Sequence, residues 1–167
     1  MPDVKRSGPV IIGYDGTPAS ESALREAAAL FAPRPALVVV VWETGRAFEA
    51  ATLPERALEG PVAVLDVRTA FETETAVYEA AQRLAEQGAA LAQEAGLDAR
   101  GVAVADEATV AQTLIRLARE HDAQTVVIGA HRHRELRRVV FGSTLSDLLR
   151  RSPCPILVCG AEPDDKH

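Results

Sequence analysis

Aromatic residues are scarce in this 167-residue chain: one Trp, two Tyr and four Phe make up 4% of it. The core must therefore be filled by Ala, Val and Leu. Cysteine is rarer still, with only Cys154 and Cys159. They flank one strand-like run, Cys-Pro-Ile-Leu-Val-Cys, and five residues at ~3.3 Å each hold them about 16 Å apart. A disulfide needs Cα atoms within about 7 Å, so the two do not bridge each other. Without a CxxC pair a zinc site has no support either, and both cysteines read as small buried apolar residues. No apolar run reaches the ~18 residues of a membrane span. The start, Met-Pro-Asp-Val-Lys-Arg, carries no apolar signal core, so a cytoplasmic location is expected. Positive charge is not in excess: 18 Lys and Arg stand against 24 Asp and Glu, a net charge of −6. Such a chain is a poor general binder of nucleic acid, which is held through phosphate neutralisation. It also lacks the basic amphipathic face of a membrane-surface helix.

What is present is an ordinary globular balance, 47% apolar and 25% charged, over a length that fits one domain. Pro9–Asp15 reads as a buried strand ending in Gly and Asp. Thr17 is a good helix N-cap and Pro18 suits the first helical position, where a missing N–H costs nothing. Ala23, Leu24, Ala27, Leu30 and Phe31 recur at helical spacing, and Pro33 and Pro35 end that helix. Ala36–Trp42 is a second strand, apolar on both faces as in a covered parallel sheet. Residues 43–70 hold Gly45, Pro54, Gly60 and Pro61 and read as an insertion. Glu74–Ala95 predicts a helix with Val77, Ala81, Leu84, Leu91 and Ala95 on one face, Gly88 marking close packing and Gly96 a left-handed cap. Ala99–Ala105 predicts a third strand, and Asp106 a cap for a helix carrying Val110, Leu114, Leu117 and Ala118. Thr125–Gly129 is the fourth strand, a helix opens at Gly142-Ser-Thr144 with Leu145, Leu148 and Leu149, and Pro155–Cys159 is the fifth strand. The alternation predicts an α/β fold: a single domain, residues 9–160, with an open five-stranded parallel sheet and helices on both faces. Residues 1–8 and 161–167 are expected to be flexible ends.

In such sheets, ligands bind beyond the carboxyl ends of the strands, where the strand order switches. Two strand ends carry suitable residues: Gly13-Tyr-Asp-Gly-Thr17, and the stretch from Gly129 to Thr144. A helix start at Gly142-Ser-Thr offers free N–H groups, two hydroxyls and a positive dipole end, the makings of an anion site. Between residues 131 and 138 four arginines (Arg132, Arg134, Arg137, Arg138) face one glutamate, Glu135. Walker A and G-x-G-x-x-G patterns are absent, which argues against a P-loop kinase and a standard dinucleotide dehydrogenase. No G-x-S-x-G elbow supports acyl transfer. His131 and His133 alternate with arginines and have no third metal ligand nearby in sequence.

The chain resembles the universal stress protein family. The residues that carry the likeness are Val10-Ile-Ile-Gly-Tyr-Asp-Gly-Thr17 with Ser20, Ser22, Ala23 and Leu24 after it, Thr125-Val-Val-Ile-Gly129, Gly142-Ser-Thr144 and Ser152-Pro-Cys-Pro-Ile-Leu-Val158. Nucleotide-binding members carry G-x-x-G, nine residues, then G-[ST]. Gly129 stands at the first glycine, residues 133–141 are the nine, and Gly142 and Ser143 follow, but Arg132 replaces the second glycine. The resemblance implies a Rossmann-like, adenine nucleotide alpha hydrolase-like domain that binds ATP, with or without magnesium, and hydrolyses it little or not at all. It implies that Tyr14, Asp15, Gly16 and Thr17 lie on the adenosine side. Val40 and Val41 would then line the adenine together with Val39, and Gly129, Ala130, Arg132, His133, Gly142, Ser143 and Thr144 would hold the phosphates. It also implies a homodimer through antiparallel pairing of Pro155–Cys159, in which Leu157→Pro would remove a central donor. Two other readings stand beside this one. An interaction module without nucleotide is favoured by Arg132. An ATP-cleaving or adenylating enzyme on a similar fold would need a substrate domain, for which the length leaves little room.

Overall fold

The computed structural model describes residues 7–43, 67–106, 109–130 and 143–160. The elements, in chain order, are β1 Val10–Gly13, α1 Pro18–Phe31, β2 Pro35–Glu43, α2 Val67–Glu94, β3 Asp98–Asp106, α3 Val110–Glu120, β4 Thr125–Ala130, α4 Ser143–Arg151 and β5 Ile156–Gly160. All the strand pairs are parallel, and the sheet order is β3-β2-β1-β4-β5. The expected five-stranded parallel sheet with helices on both faces is the observed fold. Most of the proposed insertion, residues 44–66, and most of both proposed flexible ends lie outside the described residues.

Alternation along each strand divides the core in two. Val10, Ile12, Val38 and Val127 face α1 and α2. Ile11, Leu37, Val39 and Val126 face α3 and α4. The strand order explains the division. The chain winds outward from β1 through β2 to β3 with α1 and α2 on one face. It then returns past β1 to β4 and β5 with α3 and α4 on the other, as right-handed crossovers require. The winding changes direction between β1 and β4, which pair directly with Val10 opposite Thr125.

Helix contact on the α1–α2 face is close enough that only small residues fit between. A Cβ on Gly101 of β3 would overlap the carbonyl of Ala85 in α2, and one on Gly88 would come within 2.8 Å of the Tyr14 ring and of Val38. The expectation of close packing at Gly88 is met. Of the large residues assigned to the same stripe, Leu84 packs against the core in part, whereas Val77 and Leu91 are exposed; Ala81, Ala85, Ala89 and Ala92 are buried. Large side chains would hold the helix off the sheet, so alanine and glycine take the contact line. Leu30, Val110 and Leu149, assigned to the apolar faces of the other helices, are exposed as well.

Two boundaries also differ from expectation. α2 starts at Val67 rather than Glu74, so it runs 28 residues, about 42 Å at 1.5 Å per residue. The nine-residue β3 covers only about 30 Å, and the N-terminal part of α2, mostly exposed, runs past the carboxyl ends of the strands. Helical residues outside the packed core show no buried apolar stripe, which is why the pattern did not reveal them. Asp106 does not cap α3. It ends β3, opposite Glu43, and Thr109 is the cap, its hydroxyl accepting the N–H of Gln112 at 3.2 Å. Gly96, at φ +102°, ends α2 in the left-handed conformation as expected. No helix among the described residues is long and apolar enough to cross a membrane.

Candidate functional site

The residues after β1 form a closed turn. Gly16 has φ +76°, a conformation that a side chain makes costly. Asp15 Oδ1 accepts two hydrogen bonds from Thr17, from its N–H at 3.0 Å and its hydroxyl at 2.6 Å. The Thr17 hydroxyl accepts in turn from the N–H of Ser20 at 3.3 Å, which makes Thr17 the N-cap of α1 with Pro18 behind it, as the sequence suggested. Ser20 is buried, and its hydroxyl donates to the Thr17 carbonyl at 3.0 Å. One part of Asp15's role is therefore structural: it holds the turn that starts α1.

Tyr14 is buried in the α1–α2 core, where removal from water, and then the carboxylates of Glu21 and Asp15, push its phenol up from the usual value. Glu21 and Asp15 are thus the carboxylates that act on the β1 end. Cys159, at the end of β5, is also buried, and burial followed by Glu26 pushes its thiol up. A buried thiol with little thiolate is a packing residue rather than a nucleophile.

Gly129 at the end of β4 has a packing role of its own. A Cβ there would overlap the carbonyl of Ala19 and lie 2.7 Å from the N of Ser20 in α1. Ala130 closes β4 and is half-buried. Beyond it, α4 starts at Ser143 with no acidic residue in its first turn and Arg150 and Arg151 in its last. Its N-terminal dipole end therefore has no carboxylate of its own turn beside it, unlike α1, which has Glu21. Ser143 is exposed and Thr144 half-buried at that end.

Of the sequence-derived site residues, Tyr14, Asp15, Gly16 and Thr17 follow β1, and Gly129 and Ala130 end the adjacent β4. Val40 and Val41 are neighbours on β2 and so point to opposite faces. Val40 is buried with the α1–α2 core and Val41 packs on the α3 side, so the two side chains cannot line one face of a ligand. Arg132, His133 and Gly142 lie outside the described residues, with His131, Arg134, Arg137 and Arg138. Ser20 is not among the site residues that the sequence points to. Its spacing of three from a capping Thr is the sequence signal for the bonds it makes.

No curated protein sequence matches the chain. Solved structures do match its fold. A universal stress protein UspA from Lactobacillus plantarum is 18% identical with a TM-score of 0.62, covering 92% of this chain and 98% of its own. A universal stress protein from Archaeoglobus fulgidus in complex with dAMP is 16% identical, TM-score 0.53, over 92% and 98%. A universal stress protein family protein from Arabidopsis thaliana with AMP bound is 11% identical, TM-score 0.57, over 95% and 97%. At these identities the likeness is one of fold. The family itself follows from the sequence: the model of the universal stress protein family matches residues 7–160, nearly the whole span from the strand before the Asp15 turn to the end of β5, and this chain belongs to that family.

Proposed function

We propose that this protein binds an adenine nucleotide, ATP in particular, at the carboxyl ends of β1 and β4, and works by occupancy rather than turnover. The observation that carries the reading is the polarity of that place. β1 and β4 are neighbours, about 4.8 Å apart. The winding reverses between them, and such a reversal is where open parallel sheets generally bind their ligands. On the β1 side stand the Asp15 carboxylate and Glu21, suited to hydroxyl and amino donors. On the β4 side the sequence continues through four arginines and one glutamate into α4, whose first turn carries no acidic residue, suited to phosphate. A ligand with a neutral, donor-rich end and an anionic end fits this polarity, and a nucleotide is such a ligand. The complexes of two structural neighbours with dAMP and AMP support the choice of an adenine nucleotide. Heat denaturation of freshly purified protein followed by ion-exchange chromatography should release an adenine nucleotide in near-stoichiometric amount, retained or added back. Protein that neither carries nor takes up nucleotide would leave the interaction-only reading.

Arg132 decides how the site departs from the family pattern. We expect its guanidinium to contact phosphate, because the arginines around it already favour an anion. Arg132→Ala should then weaken ATP binding by roughly 1.5–3 kcal/mol, the range for a charge-assisted hydrogen bond. If the side chain blocks the site instead, Arg132→Gly should tighten binding. Titration of both variants separates the two.

The same reading takes the working form to be a homodimer joined at β5, which is an edge strand of the sheet. Its register refines the choice of substitution. The N–H of Val126 donates to the Pro155 carbonyl at 3.1 Å, so Pro155 and Leu157 turn their backbone groups into β4. Ile156 and Val158 turn theirs outward. Leu157→Pro would therefore break the sheet inside one chain, whereas Val158→Pro removes an outward N–H and leaves the β4 ladder intact. Sedimentation velocity at micromolar concentration should show a dimer for the wild type and a monomer for Val158→Pro.

A further inference from the structure

Several arginines of this chain are matched by a carboxylate on their own helix: Arg25 by Glu21, Arg83 by Glu79 and Arg150 by Asp147. Along α3 the matching is incomplete. Arg116, Arg119 and Arg151 line one recess of about 440 Å³, and Glu120 is the carboxylate among its described lining residues. Glu120 is already engaged. Arg116 donates to both of its oxygens, at 3.0 and 3.2 Å, from a single nitrogen, Nη1. The Nη2 and Nε groups of Arg116 are left over. The side chains of Arg119 and Arg151, which come from two different helices, have no partner among the described residues.

Helix electrostatics does not account for this arrangement. A cation in the last turn is favoured by the helix dipole, which covers Arg119 and Arg151 one helix at a time. It gives no reason for like charges to converge on one recess. Arg116 is not in the last turn, and its pair with Glu120 runs in the poorer order, with the carboxylate at the negative end of the helix. What that pair does is hold the Arg116 guanidinium in place. Arg119 and Arg151 stand just before the chain enters β4 and β5. They are therefore at the amino ends of the strands, the opposite end of the sheet from Asp15 and Ser143. Toward the first turn of α3 the wall is uncharged, with Gln112 beside Thr113 and the buried Ile115.

We propose that this recess binds a phosphate-bearing small molecule, its phosphate held by Arg116, Arg119 and Arg151. Guanidinium forks match phosphate oxygens, and the volume lies within the range of about 300–1,000 Å³ usual for ligand pockets. The net charge of −6 opposes a long polyanion such as nucleic acid, so the ligand is small. The site is independent of the nucleotide reading above.

NMR titration with glycerol 3-phosphate, and separately with inorganic phosphate, tests it in the Gly142→Val background, where the strand-end site is silenced. The Nε–Hε signals of Arg116, Arg119 and Arg151 should shift saturably at low ionic strength, where exposed charges are least screened, with a dissociation constant of about 1 mM or tighter. Arg119→Gln combined with Arg151→Gln should weaken binding by about tenfold or more. Glu120→Gln keeps an acceptor for Nη1 but removes the carboxylate charge, and should tighten binding about threefold. Tighter binding of the ester assigns the ligand to organic phosphates that reach Ile115, and equal binding assigns it to phosphate itself. The proposal is overturned if the signals drift linearly without saturation, as a diffuse ion atmosphere would give, or if the double glutamine variant binds as tightly as its parent. The signals report residue by residue, so the wild type gives the same reading should Gly142→Val fold poorly.

Discussion

Gly129→Ala should cost about 3 kcal/mol or more of folding stability, the upper end of overpacking effects. That is a large part of the 5–15 kcal/mol that holds a typical domain together. The added methyl would meet the Ala19 carbonyl and the Ser20 nitrogen. These are backbone atoms of the first turn of α1, held by the Thr17 cap, and they cannot turn aside as a flexible side chain would. α1 would have to lift from β4, opening the cluster formed by Ala23, Leu24, Ala27 and Val127. At about 2–4 °C per kcal/mol for a domain of this size, the melting temperature should fall by roughly 6–12 °C. Calorimetry on the purified variant measures it. A shift under about 2 °C would mean that α1 relaxes freely and that Gly129 has no packing role.

Gly142→Val should have the opposite profile: a folded protein that has lost its ligand. Gly142 directly precedes α4, which begins at Ser143. A β-branched residue there would fill the space in which a phosphate must approach the backbone N–H groups. Nucleotide affinity should fall by about a hundredfold or more, equal to some 2.7 kcal/mol, while the far-ultraviolet dichroism stays that of the wild type. The proposed site thus gives the two glycines of one motif different tasks, Gly129 letting a helix pack and Gly142 admitting the ligand. Equal binding by Gly142→Val and wild type would remove α4 from the site.

The elements with a strong pattern were legible. β1, β2, β4 and β5 announce themselves as apolar runs, and Thr17-Pro18 marks the start of α1 in the sequence itself. The alternation of strands and helices then implies the parallel sheet with helices on both faces, but not the strand order, which long-range pairing decides. Periodicity was a poorer guide to which residues are buried. It favours large apolar residues, and this core is built where helix and sheet backbones nearly touch. Val77 and Leu91 are displaced by Ala85 and Ala89 for that reason. Nor does a sequence motif say what a glycine is for. Gly129 reads as part of a phosphate loop, and only its distance to Ala19 shows the packing constraint. Asp15 is similar: its bonds to Thr17 belong to the turn, whatever the carboxylate also does for a ligand.

Calorimetric titration with ATP and with AMP, each with and without magnesium, tests the central claim most directly. The account predicts saturable heat at a one-to-one ratio with a dissociation constant in the micromolar range, about −8 kcal/mol for 1 μM. Ligand at a hundred times its dissociation constant should also stabilise the fold by about 2.7 kcal/mol. Absence of both heat and thermal shift at millimolar ATP and AMP would contradict it, leaving a universal stress protein that acts through its surfaces alone.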